Sequence, residues 1–247
     1  MLGTVGLAAV VSAVIAAGTE LALAAAVGAV GVAAVVTLVV VERQVAAPLL
    51  PPSLFRRPAF AAANGSALAM NLTSNGLPFL LTRYLQSVLD HDALNAGIML
   101  LPLFVPLAVL SPLAGRLTAR HGPRPVLLSG AVLAAAEQLC LLAVTPTSTY
   151  WRLLPALIGV GLGVGLFTAP VVATAIRSVP AQRAGVASGI NNTARQTGTA
   201  LGVAIYGAMA GDPGHAGHFI DTLRDLGIAA AIVWLAAAAL TTAATRT

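Results

Sequence analysis

The sequence predicts an all-α polytopic membrane protein with about eight transmembrane helices. Hydrophobic residues make up 58% of the 247 residues and charged residues only 9%, whereas soluble domains carry about 25% charged residues. The mean hydropathy is +0.91, and the apolar residues fall in long runs instead of the short alternating segments of a transmembrane barrel. The lipid bilayer is therefore the first predicted partner.

The apolar runs divide the chain into three predicted regions. Residues 1–41 form a two-helix hairpin, because the runs 2–18 and 21–41 are separated only by Thr19 and Glu20. Residues 42–58 form an interfacial linker, since proline and charged residues interrupt the hydrophobicity there. Residues 59–247 form a bundle of six predicted helices, at 59–82, 95–117, 125–144, 152–176, 182–208 and 224–244.

The basic residues predict an orientation. The net charge is +5, but the arginines are scattered among the connections and do not cluster with aromatic residues, so no nucleic-acid partner is expected. If the chain starts inside and each run crosses once, nine arginines lie on the cytoplasmic side and three outside. This excess follows the positive-inside rule. We therefore expect a multi-pass protein of the cell (inner) membrane with both termini in the cytoplasm.

The stretch from Gly185 to Ala204 places polar residues inside an apolar run. A cation at the centre of a spanning helix costs roughly 2.5 to 3.5 kcal/mol and usually faces a bundle interior or a wet cavity. Four polar residues share one helical face at this point: Ser188, Asn192, Arg195 and Thr199. We predict that Arg195, Asn192 and Gln196 line a polar cavity; a structural tie of Arg195 to backbone carbonyls is the alternative.

The same stretch contains two GxxxG pairs, Gly185 with Gly189 and Gly198 with Gly202. In an apolar helix, such pairs allow a neighbouring backbone to approach closely. We therefore predict that one side of this helix packs against a neighbour while the polar side is wet.

Further polar residues lie in two other predicted helices. Asn71 and Asn75 are one turn apart; amides in this arrangement either hydrogen-bond to another helix, which we favour, or meet a ligand in the cavity. Glu137 lies in the middle of the fifth run, where desolvation favours a protonated carboxyl group. It is a candidate proton carrier, with pairing to Arg195 or a purely structural role as the alternatives.

Three stretches resemble the major facilitator superfamily, specifically its fourteen-helix drug:proton antiporter branch. The first is the linker, through Glu42, Arg43, Pro48, Leu49, Leu50, Phe55 and Arg56. The second is similar to an exterior loop and the following helix of that branch, through Tyr84, Leu85, Gln86, Gly97 and Pro102. The third is similar to its penultimate helix, through Gly185, Ser188, Gly189, Asn192, Arg195, Gln196, Gly198 and Gly202.

A fourth, weaker match resembles the cytoplasmic loop motif of the superfamily, which braces two neighbouring helices. Gly115, Arg120, Gly122 and Arg124 fit the motif, but Ala119 stands where the family has an acidic residue. The resemblance implies that these four residues brace the cytoplasmic side.

Transporters of this branch have two six-helix halves joined by two extra helices. The resemblance covers those two extra helices and the second six-helix half. It implies the C-terminal portion of a secondary transporter, with proton-coupled efflux of small amphipathic drugs or metabolites, substrate binding between two halves, and a partner in a missing N-terminal half. The alternative is a truncated or non-transporting membrane protein that only packs on other helices.

Catalysis and cofactors are not predicted. The sequence contains no GxSxG, HExxH, P-loop or GxGxxG arrangement that would support an enzyme. Asp212, His215, His218 and Asp221 lie close in sequence, but their spacing fixes no third ligand, so a metal site is not expected.

Overall fold

The described part of the chain consists of helices joined by short connections. The computed structural model describes residues 52–145, 148–210 and 216–245, together with seven isolated helical positions between residues 9 and 40. The predicted hairpin at 1–41 and most of the linker at 42–58 therefore lie outside the described residues. The last part of the linker forms a short helix, α1 (Pro52–Phe55).

The six predicted helices of the bundle are present. They are α2 (Pro58–Ser87), α3 and α4 (Ala93–Met99 and Leu101–His121), α5 (Pro123–Cys140), α6 (Leu154–Arg177), α7 (Ala184–Met209) and α8 (Ala216–Ala244). Helix α8 begins eight residues before the predicted start at residue 224, because its polar first turns remain helical. Single 3₁₀ turns follow α5 and precede α6 and α7.

The predicted helix at 95–117 is wrong in one respect, since the chain breaks at Leu100 into α3 and α4. Pro102 lies in the first turn of α4, where its missing N–H leaves no donor unsatisfied. The Asp92 side chain caps α3 by accepting a hydrogen bond from the Asn95 backbone N–H at 2.7 Å. The capped helix α3 thus ends at the break, and α4 begins there with a proline in its first turn.

Four helical stretches in the described residues are long and apolar enough to cross a membrane: Leu101–His121, Pro123–Ala143, Tyr150–Arg177 and Gly217–Ala244. Helices α2 and α7 are equally long but carry more polar residues. Together these helices make the chain an all-α polytopic membrane protein.

Helix α6 lies at the centre of the bundle. It packs against α4 and α5 along its length and also contacts α2 and α7, while α8 packs on α5 and α2. The four glycines of α6 make this possible. A Cβ atom at Gly159 or Gly163 would collide with Glu137 or Ala134 of α5, and one at Gly161 would collide with the Leu103 carbonyl of α4. The alternating glycines thus serve close packing on two opposite faces.

Helices α2 and α7 form the closest pair. A Cβ at Gly198 would strike the carbonyl oxygen of Leu68, and one at Gly202 would strike that of Leu72, so this GxxxG pair is confirmed as a packing face. No described atom lies within 4 Å of a Cβ built at Gly185 or Gly189, so a packing role for this pair stays a prediction.

Candidate functional site: a polar cavity among four helices

Helices α2, α4, α6 and α7 border a partly open cavity of about 590 Å³. Its polar wall consists of Asn71, Ser74, Asn75, Ser111, Thr168 and Arg195. The rest of the wall is largely apolar and includes Met70, Phe104 and Leu107. An apolar cavity of this size with a few polar groups is typical of sites for small molecules, which occupy roughly 300 to 1,000 Å³.

Arg195 is the charged residue among the described residues that line this cavity. Its Nε atom is buried and has no hydrogen-bond partner in the described structure, and the same holds for the Ser74 hydroxyl oxygen in the same wall. Buried polar atoms normally have partners, in protein or in water. The two unpaired groups therefore leave hydrogen-bonding capacity for water or for a ligand in the cavity.

Asn71 and Asn75 line the cavity, and their amide groups bond within their own helix. Asn71 Nδ2 donates to the Ala67 carbonyl at 2.9 Å, and Asn75 Nδ2 donates to the Asn71 carbonyl at 3.0 Å. The favoured prediction of hydrogen bonds between helices is thus wrong for these two residues. The amide that crosses to a neighbouring helix is Asn191, which donates to Asn64 Oδ1 at 3.3 Å.

Asn192 and Gln196 do not belong to the cavity wall. Both side chains are exposed in the described structure, as is Ser188, so the polar face of α7 extends beyond the cavity as an open surface. Sequence reasoning selected Asn192 and missed Asn191. The two asparagines are about 100° apart around the helix axis, and the position of the neighbouring α2 decides which one is buried.

Glu137 lies in a different environment from Arg195. Its side chain is only 4% exposed and packs against α6, where the absence of a side chain at Gly159 gives it room. Neither carboxyl oxygen has a hydrogen-bond partner among the described residues. The alternative of a pair between Glu137 and Arg195 is therefore wrong, because Glu137 lies in the α5–α6 contact and not in the cavity wall.

The residues that match the superfamily's cytoplasmic loop motif lie at one end of the bundle but do not form a single cluster. Gly122 alone connects α4 to α5 with φ of +82°, a conformation that favours glycine. Arg124 Nε donates to Thr245 Oγ1 at 3.1 Å and so ties α5 to the end of α8. Gly115 and Arg120 are exposed, and a brace between α4 and α5 through them stays a prediction.

Two residues of the considered metal cluster, Asp212 and His215, lie outside the described residues. Among the residues that the structure does describe, no group of three His, Cys, Asp or Glu side chains could hold a metal ion. The cavity is therefore the candidate site.

Comparison with known proteins places this architecture in a family. Residues 1–203 match the model of the Major Facilitator Superfamily. The chain is 41% identical over 188 residues to the puromycin resistance protein of Streptomyces alboniger, which covers 73% of this chain and 37% of that protein. It is 33% identical over 171 residues to a multidrug resistance protein of Mycobacterium tuberculosis, with 68% of this chain and 31% of that protein covered.

A third relative is the methylenomycin A resistance protein of Streptomyces coelicolor, which is 30% identical over 181 residues, covering 73% of this chain and 38% of that protein. The matched region thus spans between 31% and 38% of the length of these curated relatives. The match over residues 1–203 confirms the resemblance noted in the linker, the exterior loop and the penultimate helix. The chain belongs to the Major Facilitator Superfamily.

Proposed function

We propose that this chain forms the C-terminal portion of a proton-coupled secondary transporter that exports small amphipathic drugs or metabolites. The observation that carries the proposal is the cavity, which combines an apolar wall with an arginine and several uncharged polar groups. Substrate sites of secondary transporters lie near the bilayer midplane between two halves of the fold. A further half would close the open side of the site.

The names of the relatives support drugs as the substrate class. The three similar proteins are named for resistance to puromycin, to multiple drugs and to methylenomycin A. Those names describe the longer proteins. For this chain, we therefore propose efflux of a small organic molecule as the activity to test.

Arg195, Asn71 and Asn75 are proposed as substrate contacts from the cavity wall, and Asn192 and Gln196 as contacts that face the missing half. The exposed polar face of α7 supports the second part, because exposed amides in a membrane helix favour a polar neighbour over lipid. Glu137 is proposed as the proton carrier, since an unpaired carboxyl group at membrane depth is a functional site by default.

The orientation is part of the proposal. The end of the bundle that contains the starts of α2, α5 and α7 holds seven arginines of the described residues, Arg56, Arg57, Arg116, Arg120, Arg124, Arg177 and Arg183. The opposite end holds Arg83, Arg152 and Arg224 together with four aspartates. By the positive-inside rule the first end faces the cytoplasm of the inner membrane.

Drug efflux from cells that produce the protein from its own locus tests the proposal. We expect Arg195→Ala to lower efflux roughly 10- to 100-fold and Glu137→Gln to lower it as well, in both cases without lowering the amount of protein in the membrane. Thr193→Ala serves as the control and should retain efflux, because Thr193 is exposed on α7, lies outside the proposed contact face and does not line the cavity. Equal loss of protein and efflux in both variants would reject the transport roles in favour of structural ones.

A non-transporting partner that only packs on other helices is the second candidate. The coverage of between 31% and 38% of the relatives favours it, because half of such a fold should not transport alone. The mass of the native polypeptide, detected through a C-terminal tag, separates the two. A band near 24.7 kDa without efflux supports the partner role, and a band of about twice that mass with efflux supports the transporter.

A further inference from the structure

A second cavity, of about 560 Å³, lies at the arginine-rich end of the bundle. It is bounded by the start of α2, the end of α6, the start of α5 and the end of α8. The polar cavity described above lies instead among α2, α4, α6 and α7. Both cavities are bordered by α2 and α6, but no residue lines both of them. The second cavity is therefore a separate site.

Three arginines line this second cavity, Arg56, Arg57 and Arg177. Arg57 Nη1 donates to the Ser178 carbonyl at 3.0 Å, which holds that guanidinium across the gap between α2 and α6. Arg56 and Arg177 are exposed, with no hydrogen bond or ion pair recorded for them in the described structure. Their donors are therefore available to a ligand.

A fourth arginine, Arg124, lies next to the second cavity without lining it. Arg124 Nε donates to the hydroxyl of Thr245, which lines the cavity, while Arg124 Nη2 is buried without a hydrogen-bond partner in the described structure. A buried cationic donor without a partner is unfavourable. An anion in the cavity would reduce that cost by compensating the local positive charge.

No described acidic side chain balances these charges. The aspartates of the described residues are Asp90, Asp92, Asp221 and Asp225, which lie at the opposite end of the bundle, and Glu137 lies in the middle of α5. Planar guanidinium forks match the oxygens of phosphate in pairs. The site thus offers several phosphate-matching donors with no competing carboxylate from the described residues.

The surroundings of the cavity suit a lipid. Helices α5 and α8 border it and pack on each other, and they expose apolar side chains within a few turns of it, among them Leu128 of α5 and Leu240 of α8. Basic pockets between transmembrane helices at the cytoplasmic surface bind anionic headgroups. An acyl chain could follow these exposed leucines while the headgroup occupies the cavity.

We propose that the cavity between Arg56, Arg57 and Arg177 binds a phosphate-bearing anion, with the headgroup of an anionic phospholipid as its membrane source and free phosphate as the alternative source. The proposal does not depend on transport. It requires only that the bundle folds as described.

Lipid binding by the purified full chain in a neutral detergent tests the site. Native mass spectrometry would count phosphatidylglycerol bound per chain during a titration, with phosphatidylcholine as the zwitterionic comparison. We expect preferential retention of phosphatidylglycerol. Arg56→Gln with Arg177→Gln should weaken that binding on the order of tenfold, because each arginine adds its own attraction for an anionic headgroup and the variant removes two of them.

The matched control removes the same charge from the same end. Arg116 and Arg120 are exposed and do not line the cavity, so Arg116→Gln with Arg120→Gln should leave binding within about twofold of the parent chain. A third variant, Arg56→Lys with Arg177→Lys, keeps the charge but loses the paired guanidinium donors, so its binding should lie between that of the parent chain and that of the glutamine variant. Binding above that of the glutamine variant separates loss of charge from loss of folding.

Inorganic phosphate identifies the source of the ligand. Displacement of the lipid by millimolar phosphate would show that free phosphate occupies the same site, and resistance to it would show that the lipid is required; both results support recognition of phosphate. Equal weakening in the two glutamine variants would show diffuse attraction to the whole surface and overturn the proposal. Equal retention of phosphatidylcholine and phosphatidylglycerol would overturn it as well.

Discussion

Arg195 and Glu137 are two ionisable side chains at membrane depth whose surroundings differ. Arg195 lies in the wall of a cavity of about 590 Å³ beside asparagine, serine and threonine side chains. Glu137 is packed between α5 and α6, is 4% exposed, and has no hydrogen-bond partner among the described residues. A charged form is therefore tolerated at the first position through polar neighbours and water, whereas the second position favours a neutral carboxyl group.

The difference supports the different roles proposed for the two residues. A cation in a wet cavity can contact a substrate directly. A neutral acid in a tight helix contact can hold a proton, but it reaches the cavity only if α5 and α6 move relative to each other. Substitutions at or beside each of the two residues test this difference.

Removal of the arginine should have the largest effect. Arg195→Ala removes the charged donor from the cavity, and a hydrogen bond to a charged group contributes roughly 1.5 to 3 kcal/mol, so we expect efflux to fall roughly 10- to 100-fold. Arg195→Lys keeps the charge and should retain part of the efflux. Unchanged efflux in Arg195→Ala at normal protein levels would remove Arg195 from the substrate site.

Closure of the space beside Glu137 should have the next largest effect. The Cβ of Gly159→Ala would lie 2.5 Å from the Cβ of Glu137, and overpacking of this kind costs roughly 1 to 3 kcal/mol. Gly185→Ala is the matched control, because its Cβ meets open space in the described structure. Denaturant unfolding of the purified chain in mixed micelles measures both; equal stability would show that Glu137 is not tightly packed.

Replacement of the carboxyl group should change stability little. Glu137→Leu removes two buried oxygens that lack partners, and exchange of an unpaired polar group for an apolar one of similar shape is nearly neutral or stabilising. We expect a change between zero and about 1 kcal/mol in favour of the variant in the same unfolding assay. A loss of several kcal/mol would reveal a partner for Glu137.

The smallest change in unfolding free energy is expected at Asn191 and Asn192. The sequence does not show which of the two is buried. Asn191→Ala removes the bond to Asn64, and hydrogen bonds between membrane helices average about 0.6 kcal/mol. Asn192→Ala, on the exposed side, should leave the unfolding free energy unchanged. The reverse order would place the α2–α7 contact on the other face of α7.

The sequence predicts some of these features for reasons that are visible in single residues. The energetic cost of a cation in an apolar run identifies Arg195 without any knowledge of its neighbours, and hydrophobic run lengths predict the six helices of the bundle. The sequence does not reveal the break at Leu100, because the apolar run from residue 95 to residue 117 continues through it.

Other features depend on neighbours that the sequence does not reveal. The two GxxxG pairs of α7 are identical as patterns, yet among the described residues only Gly198 and Gly202 face a backbone. In the first turns of α7 it is Ala187 and Ile190 that pack with Leu54 and Phe60, and not the two glycines. Glu137 is central in its run, but only the packing of α5 on α6 shows that it faces Gly159 and not the cavity. Position within a helix is thus predictable, and the identity of the facing helix is not.

Cysteine accessibility compares the two environments most directly. The single cysteine, Cys140, is replaced by alanine, and Ser111→Cys in the cavity wall is compared with Ala134→Cys, a buried position near Glu137 in the α5–α6 contact. A charged thiol reagent that reacts only in water is then applied. We predict rapid labelling at position 111 and none at position 134; equal labelling of the two positions, or protection of position 111, would contradict a wet cavity beside a dry helix contact.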